Sequence, residues 1–111
     1  MSFGYAVRPK ADLDLDEIAD YLTQQSSLDT GLSFLAEAHR TFTLLTAQPA
    51  MGWRCKLHDS RLAGVRMFRV GAPFTDYLIF YQPRGERIEI LRVLHGSQDL
   101  EALFSQQDVL G

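Results

Sequence analysis

The chain has 111 residues, 46% of them hydrophobic and 23% charged, and its formal net charge is −3 at pH 7. This size and composition predict a single globular domain, residues 1–111, that is large enough to bury a core and too small to divide in two. No apolar run has the length of a membrane span, and the N-terminal sequence MSFGYAVRPK lacks the apolar core of a signal peptide, so we expect a cytoplasmic protein.

The distribution of charge argues against a nucleic-acid site, and the cysteine count excludes a disulfide and a cysteine-based zinc site. Residues 1–55 carry four basic and seven acidic side chains, and residues 56–111 carry seven of each. Because proteins that bind phosphates usually show a net basic domain or a basic stripe, we expect no direct sequence-specific nucleic-acid binding. The single cysteine, Cys55, excludes an internal disulfide and a cysteine-based zinc site, and its role stays open.

The first predicted elements are a strand and a helix. Residues 3–8 (FGYAVR) alternate as a strand does, and Pro9 stops the strand. Pro9 or Lys10 then opens a helix, since proline is tolerated in the first helical turn. The apolar face of this helix is predicted to hold Ala11, Leu15, Ile18, Ala19 and Leu22. Its acids are predicted on or near the opposite, solvated face, most of them close to the positive end of the helix dipole: Asp12, Asp14, Asp16, Glu17 and Asp20.

A second helix follows after a short polar segment. Apolar side chains recur at helical spacing from Gly31 to Ala47, with Asp29 or Thr30 as the expected N-cap. His39 lies beside that apolar stripe, and we interpret it as a partly buried or edge residue and not as a ligand. Two amphipathic helices joined by a few residues predict an antiparallel hairpin, and its shared apolar face requires a sheet to cover.

The connection from Gln48 to Gly64 has no clear periodicity. A connection this long in a small domain is either ordered by its aromatic residue or forms a binding surface. We expect Trp53 to plug the edge of the core, and contact with a partner protein is the alternative that stays open. Trp53, Arg66 and Phe68 are the candidate partner-binding residues.

Three further strands are predicted downstream. Residues 65–71 form one strand, and residues 77–81 and 88–94 form a hairpin around residues 82–86, where proline and glycine allow a reversal. Ser97 is the expected cap of a short C-terminal helix. This order predicts a two-layer α+β domain with one sheet in the order 1-4-3-2, in which the first and last strands pair antiparallel. We expect the sheet face away from the helices to be uncovered and open to another chain.

The sequence contains no recognisable catalytic motif. It has no GxSxG, no phosphate loop and no HExxH. The histidines fall in a helix, a long loop and a strand end, so nothing predicts that they meet: His39, His58 and His95. We therefore predict no metal site and no cofactor.

One long stretch, LIFYQPRGERIEILRVLHGSQDLEALF, resembles the C-terminal half of ParE-type toxins of the RelE/ParE superfamily, and YAVRPKADLDLDEIADYL extends the resemblance to the start of the chain. The resemblance implies the two-layer RelE/ParE-like fold. It also implies the toxin of a bacterial type II toxin–antitoxin module that binds and inhibits DNA gyrase, a topoisomerase. The implied neutralising partner is a ParD-like antitoxin of the ribbon-helix-helix type.

The superfamily also offers an enzymatic alternative. RelE-like members cleave messenger RNA on the ribosome, with cationic side chains that hold the scissile phosphate and an acid–base pair that moves protons. The residues of this chain that could serve are Arg69, Arg92 and His95. Under the binding interpretation there are no catalytic residues, Arg92 braces the last strand against an acid, and His95 hydrogen-bonds the backbone at the turn.

Departures from the RelE pattern favour the binding interpretation. RelE-like sequences have an arginine at the position that Leu78 occupies here, and a C-terminal tyrosine at the position of Phe104 or Gly96. An apolar side chain cannot stabilise phosphate charge, and phenylalanine has no proton to transfer. A relative that has lost its toxicity and only binds is the third hypothesis.

Overall fold

The computed structural model describes residues 4–55 and 60–97. Its elements are, in chain order, β1 (Gly4–Val7), α1 (Pro9–Gln25), α2 (Leu28–Ala47), β2 (Trp53–Arg54), a 3₁₀ turn (Ser60–Leu62), β3 (Arg66–Arg69), β4 (Tyr77–Arg84) and β5 (Arg87–His95). The α+β prediction is confirmed, with two helices on a mixed sheet. The predicted C-terminal helix lies outside the described residues. Neither α1 nor α2 combines the length and the apolar character that a membrane crossing requires.

Both helix starts have a local cause. α1 begins at Pro9, as predicted, because the proline ring presets φ and the first turn has no hydrogen bond for it to break. α2 begins at Leu28, and the prediction of Asp29 or Thr30 as its N-cap is wrong. The cap is Ser27, whose hydroxyl accepts a hydrogen bond from the Thr30 backbone N–H at 3.2 Å. Asp29 lies inside the first turn instead, where its charge suits the positive end of the helix dipole.

The two helices form the predicted hairpin and approach closely at one glycine. A Cβ atom at Gly31 would lie 2.7 Å from the Ala19 carbonyl oxygen and would overlap the Thr23 hydroxyl. Glycine therefore permits the close approach of the two backbones at this position. His39, farther along α2, is exposed at the side of the hairpin, and its Nδ1 lies 2.8 Å from the Tyr5 hydroxyl of β1.

The four predicted strands keep their order, and a fifth strand extends the sheet. The order is β1-β5-β4-β3-β2, with the short β2 at one edge. The expected antiparallel pairing of the first and last strands is wrong, because β1 and β5 pair in parallel, with Tyr5 beside Ile88. The prediction missed β2, which is only two residues long. That strand adds one reversal of chain direction between α2 and β3, so every later strand runs opposite to the predicted direction.

The larger core lies between the helices and the sheet. Its most buried aromatic and aliphatic side chains come from α2, β4 and β5: Phe34, Phe42, Leu45, Ile79, Tyr81, Ile88 and Ile90. Phe34 contacts Phe74 and Tyr77 edge to face, with ring centroids 5.5 and 5.2 Å apart. The helical hairpin thus covers the sheet, as predicted.

The opposite face of the sheet holds a second buried cluster, so the expectation of an uncovered face is wrong. The cluster comprises Leu62, Val65, Leu78, Phe80, Leu91 and Leu94, each at most 8% exposed. Residues 77–81 of β4 are apolar at every position because successive side chains point to opposite faces of the sheet and pack in the larger core and in the second cluster by turns. The expectation failed because residues 60–65 bring apolar side chains to this face without any periodic pattern.

Candidate functional site

A cleft of about 430 Å³ opens between α1 and the C-terminal end of β5. The residues that line it from α1 are Asp14, Glu17, Ile18 and Tyr21. The residues that line it from the strands are Tyr77 and residues 92–95. Two of the three residues of the ribonuclease alternative, Arg92 and His95, therefore lie in the same cleft.

The Arg92 guanidinium in this cleft is paired with a buried carboxylate. Its Nε and Nη2 donate to the two oxygens of Asp14 at 2.7 and 2.9 Å, and the two side chains are 8% and 9% exposed. The Val93 backbone N–H donates to the same carboxylate at 3.0 Å. β1 pairs with β5 only as far as Ile90. Beyond that point the Asp14 carboxylate accepts a hydrogen bond that a strand carbonyl would otherwise accept.

The prediction of a solvated Asp14 is wrong, although its four neighbours in the acid cluster are exposed as predicted. A signal was available in the sequence. Asp14 lies three residues after Ala11 and four before Ile18, which is the spacing that places a side chain on the buried stripe of a helix. A buried carboxylate is tolerated when it is paired and hydrogen-bonded, and Arg92 and Val93 provide both interactions.

His95 lies at the rim of the cleft and is hydrogen-bonded to the turn that follows β5. Its Nδ1 accepts from the Ser97 backbone N–H at 3.1 Å and lies 2.7 Å from the Ser97 hydroxyl. Its ring contacts Tyr77 edge to face, with centroids 5.2 Å apart. Burial raises the pKa of the Tyr77 phenol, and the nearby Tyr21 and Asp76 raise it further. This phenol therefore stays protonated at neutral pH.

The third residue of the ribonuclease alternative lies elsewhere. Arg69 is on β3, with β4 between it and β5. Its guanidinium donates to the Thr75 carbonyl oxygen at 3.3 Å, in the connection between β3 and β4. Arg69 does not line the cleft that Arg92 and His95 share. The structure thus brings two of the three residues together and leaves the third apart.

The structure describes two of the three positions that depart from the RelE pattern. Leu78 is 8% exposed and belongs to the second buried cluster. Gly96 lies in the exposed turn after β5. Phe104 lies outside the described residues. The position that carries an arginine in RelE-like sequences therefore contributes to packing in this chain.

The candidate partner-binding residues lie together at the β2 edge of the sheet. Trp53 is 54% exposed, so the expectation that it plugs the core is wrong, and its contact with a partner stays a prediction. The indole stacks on the Phe68 ring with centroids 5.9 Å apart. Arg66 donates to the carbonyl oxygens of Gly52 at 2.8 Å and Ala50 at 3.2 Å. Side chain and backbone contacts thus fix the segment that leads into Trp53.

Tyr81, and not Trp53, is the buried aromatic side chain that contacts this connection. Its hydroxyl donates to the Pro49 carbonyl oxygen at 2.8 Å and accepts from the Gly52 backbone N–H at 2.9 Å. A Cβ at Gly52 would lie 2.5 Å from that hydroxyl, so glycine is required. Burial raises the pKa of Tyr81, although the Gly52 hydrogen bond and Arg66 lower it. The sequence placed Tyr81 in a strand and carried no signal for these distant backbone partners.

Phosphate binding, metal binding and thiol chemistry can each be judged from the side chains that the structure describes. In the cleft the Arg92 guanidinium is engaged by a carboxylate, which offsets its attraction for a phosphate. Within residues 4–55 and 60–97, no three His, Cys, Asp or Glu side chains are grouped so that they could hold a metal ion. Cys55 is partly buried, and burial raises the pKa of its thiol and so lowers the thiolate fraction.

Comparisons with known proteins agree on one family. A family model described as the ParE toxin of the type II toxin–antitoxin system parDE matches residues 5–100. A relative from Caulobacter vibrioides, Toxin ParE1, is 30% identical over 98 residues, which are 88% of this chain and 94% of the relative. Toxin ParE1 of Mycobacterium tuberculosis is 29% identical over 102 residues, which are 91% of this chain and 97% of that protein.

A solved structure shares the fold. It is described as the chromosomal ParDE TA system from P. aeruginosa, and it superposes with a TM-score of 0.68 over 85% of this chain and 96% of its own. Its sequence identity of 19% makes this likeness a statement about the fold alone. The family model spans the chain from β1 to the residues after β5. The chain therefore belongs to the ParE toxin family of type II toxin–antitoxin systems.

Proposed function

We propose that this chain is an active toxin that inhibits DNA gyrase by binding to it and has no catalytic chemistry of its own. Membership of the ParE toxin family carries the proposal, because the action expected of ParE-type toxins is to bind gyrase and favour its cleaved-DNA complex. Replication then stalls and DNA breaks accumulate. The cytoplasm, where gyrase acts on the chromosome, is the proposed location.

The charges of the cleft support this proposal over RNA cleavage. A ribonuclease must direct cationic donors at the charge that develops on the scissile phosphate. Arg92 already donates to both oxygens of Asp14, and Leu78 has no donor. Arg69 lies across β4 from the cleft. Inhibition through surface contact requires none of these side chains to do chemistry.

A ParD-like antitoxin is the proposed neutralising partner. Its ribbon-helix-helix half would bind operator DNA, and its tail would fold on the toxin, a binding mode that covers a large surface. The described surface carries six large apolar side chains that are 46–63% exposed: Leu13, Tyr21, Leu28, Leu32, Leu44 and Trp53. Exposed apolar side chains that lie together mark sites where another protein binds.

The order of events in cells tests the proposed function. Pulse labelling of DNA and protein after induction should show that DNA synthesis falls first and that translation continues. DNA damage should appear at the same time. His95→Ala should stay as toxic as the unaltered chain, because no proton transfer by His95 is involved. Arg69→Ala removes a second of the three residues that the ribonuclease alternative requires, and it should also stay toxic.

Two results would contradict this proposal. If translation stopped before DNA damage appeared and His95→Ala abolished toxicity, the chain would be a ribosome-dependent endoribonuclease of the RelE type. If the chain were never toxic and still bound its antitoxin, it would be a relative that only binds. Each result selects one of the hypotheses that the sequence left open.

A further inference from the structure

We propose that the cleft between α1 and β5 is a binding site for an aliphatic cation, which is an ammonium or guanidinium group on an apolar stem. The side chains of lysine and arginine carry this chemistry, and so do free polyamines. The site itself does not depend on the proposed function. The size of the cleft, its aromatic side chains and its charge each support the proposal.

The cleft has the size and the lining of a small-ligand site. Its volume of about 430 Å³ lies within the range of roughly 300–1,000 Å³ in which proteins bind small ligands. Its apolar lining residues include Ile18 of α1, which is half-buried, and Val93 of β5, which is buried. An alkyl stem can therefore lie against apolar side chains while its charged end contacts the polar groups of the cleft.

Two phenol rings line the cleft from its two walls. Tyr21 comes from α1 and is 56% exposed, and Tyr77 comes from β4. Edge-to-face contacts with Phe34 and His95 hold the Tyr77 ring in place. Tyr21 raises the pKa of the Tyr77 phenol, so the two phenols lie near each other. Because the face of a tyrosine ring attracts a cation, both walls offer a favourable contact to the same ligand.

The charge of the cleft favours a cation over an anion. The ionisable residues that line it, besides the two tyrosines, are Asp14, Glu17, Arg92 and His95. Asp14 neutralises Arg92 in the buried pair, so with histidine counted as neutral the Glu17 carboxylate gives the lining its net charge. Asp76 lies near enough to raise the pKa of Tyr77, and its carboxylate adds to the negative potential. An anion would be repelled here, whereas a cation would be attracted.

Glu17 and Tyr21 are placed to contact the same cation. They lie four residues apart on α1, so their side chains share one face of the helix, one turn apart. Both are exposed. Within residues 4–55 and 60–97, the Glu17 carboxylate forms no ion pair. Its charge is therefore available to a ligand, in contrast to the charge of Asp14.

Small probes test the cation site on the full chain. Butylguanidinium is the probe, and pentanoate is its control, because it carries the same butyl stem and a carboxylate in place of the guanidinium. In an NMR titration, butylguanidinium should shift the backbone amide signals around Glu17 and Tyr21 with a saturable curve. Pentanoate should leave them unchanged. The same shifts with both probes, or no saturable shift with butylguanidinium, would overturn the proposal.

Glu17→Gln should weaken butylguanidinium binding about fivefold, because it removes the charge and keeps the shape of the side chain. Tyr21→Leu should weaken binding about threefold, because it replaces the ring by an aliphatic side chain. Asp16→Asn is the matched control. It makes the same charge change at the neighbouring exposed residue, which does not line the cleft, and it should bind as the unaltered chain does.

Thermal unfolding of each variant would show that it is folded. Equal weakening by Glu17→Gln and Asp16→Asn would show a general effect of charge and overturn a specific site. Full affinity in both Glu17→Gln and Tyr21→Leu would overturn the proposal as well, since neither side chain would then contact the cation.

Gyrase inhibition distinguishes the two sources of the cation, and this experiment alone rests on the proposed function. If a lysine or arginine of gyrase enters the cleft, Glu17→Gln should require several-fold more protein than Asp16→Asn for the same loss of supercoiling. Equal inhibition by the two variants would assign the site to free cations such as polyamines. If the unaltered chain bound butylguanidinium and never inhibited gyrase, the proposed function would be wrong and the cation site would stand.

Discussion

The Asp14 side chain of α1 is hydrogen-bonded to β5 and so fixes the helix against that strand. Its carboxylate accepts three hydrogen bonds, two from Arg92 and one from the Val93 backbone, and all of them lie in a buried environment. A buried ion pair adds little net stability relative to apolar packing, but removal of one partner leaves an uncompensated buried charge. The pair therefore fixes the position of the helix against the strand more than it adds to the free energy of unfolding.

Asp14→Ala should destabilise the fold by about 3–5 kcal/mol, because Arg92 would stay buried without its carboxylate. Urea denaturation measures this change. Asp16→Ala is the control, since Asp16 is exposed on the same helix, and its effect should lie within about 0.5 kcal/mol. Equal stabilities of the two variants would show that the buried pair does not hold α1 in place.

At the scale of elements, Tyr81 ties the end of α2 to β2. It lies on β4, and its hydroxyl bonds Pro49 and Gly52 on the segment that carries Trp53. The pKa of this phenol is raised by burial, so the unfolded chain loses the proton at a lower pH than the folded chain. The stability that Tyr81 contributes is therefore complete below pH of about 10 and is lost as pH rises through the raised folded pKa.

Tyr81→Phe should reduce this loss of stability in alkali, because the buried group can no longer ionise. Near neutral pH the same change should cost about 1–3 kcal/mol, since it leaves the Gly52 N–H and the Pro49 carbonyl oxygen without their partner. Urea midpoints at neutral and alkaline pH give both quantities. A variant that lost as much stability in alkali as the unaltered chain would show that other groups govern the pH dependence.

The predictable elements were those with a repeating apolar pattern. The stripes of α1 and α2 and the apolar runs of β4 and β5 predicted a helical hairpin on a sheet and the relative order of four strands. β2 has only two residues, which are too few to show an alternating pattern. Because the prediction omitted β2, it made β1 and β5 antiparallel, whereas they pair in parallel. The burial of Asp14 could have been predicted from its helical spacing. The Tyr81 hydroxyl bonds two distant backbone groups, which no sequence pattern predicts.

At the scale of the whole molecule, the helices cover one face of the sheet and the second buried cluster occupies the other. Within residues 4–55 and 60–97, the large exposed apolar side chains lie on α1, α2 and β2. The cleft contains Arg92 and His95, but each side chain has contacts with this chain's own groups. This distribution supports a toxin that recognises another macromolecule through its surface.

Purified gyrase gives the most direct measurement of that claim. The chain should stop the supercoiling of relaxed plasmid and increase cleaved plasmid as its concentration rises, and His95→Ala should act equally well. Messenger RNA on purified ribosomes should stay intact at the same concentrations. Normal supercoiling together with cleaved messenger RNA would contradict the account.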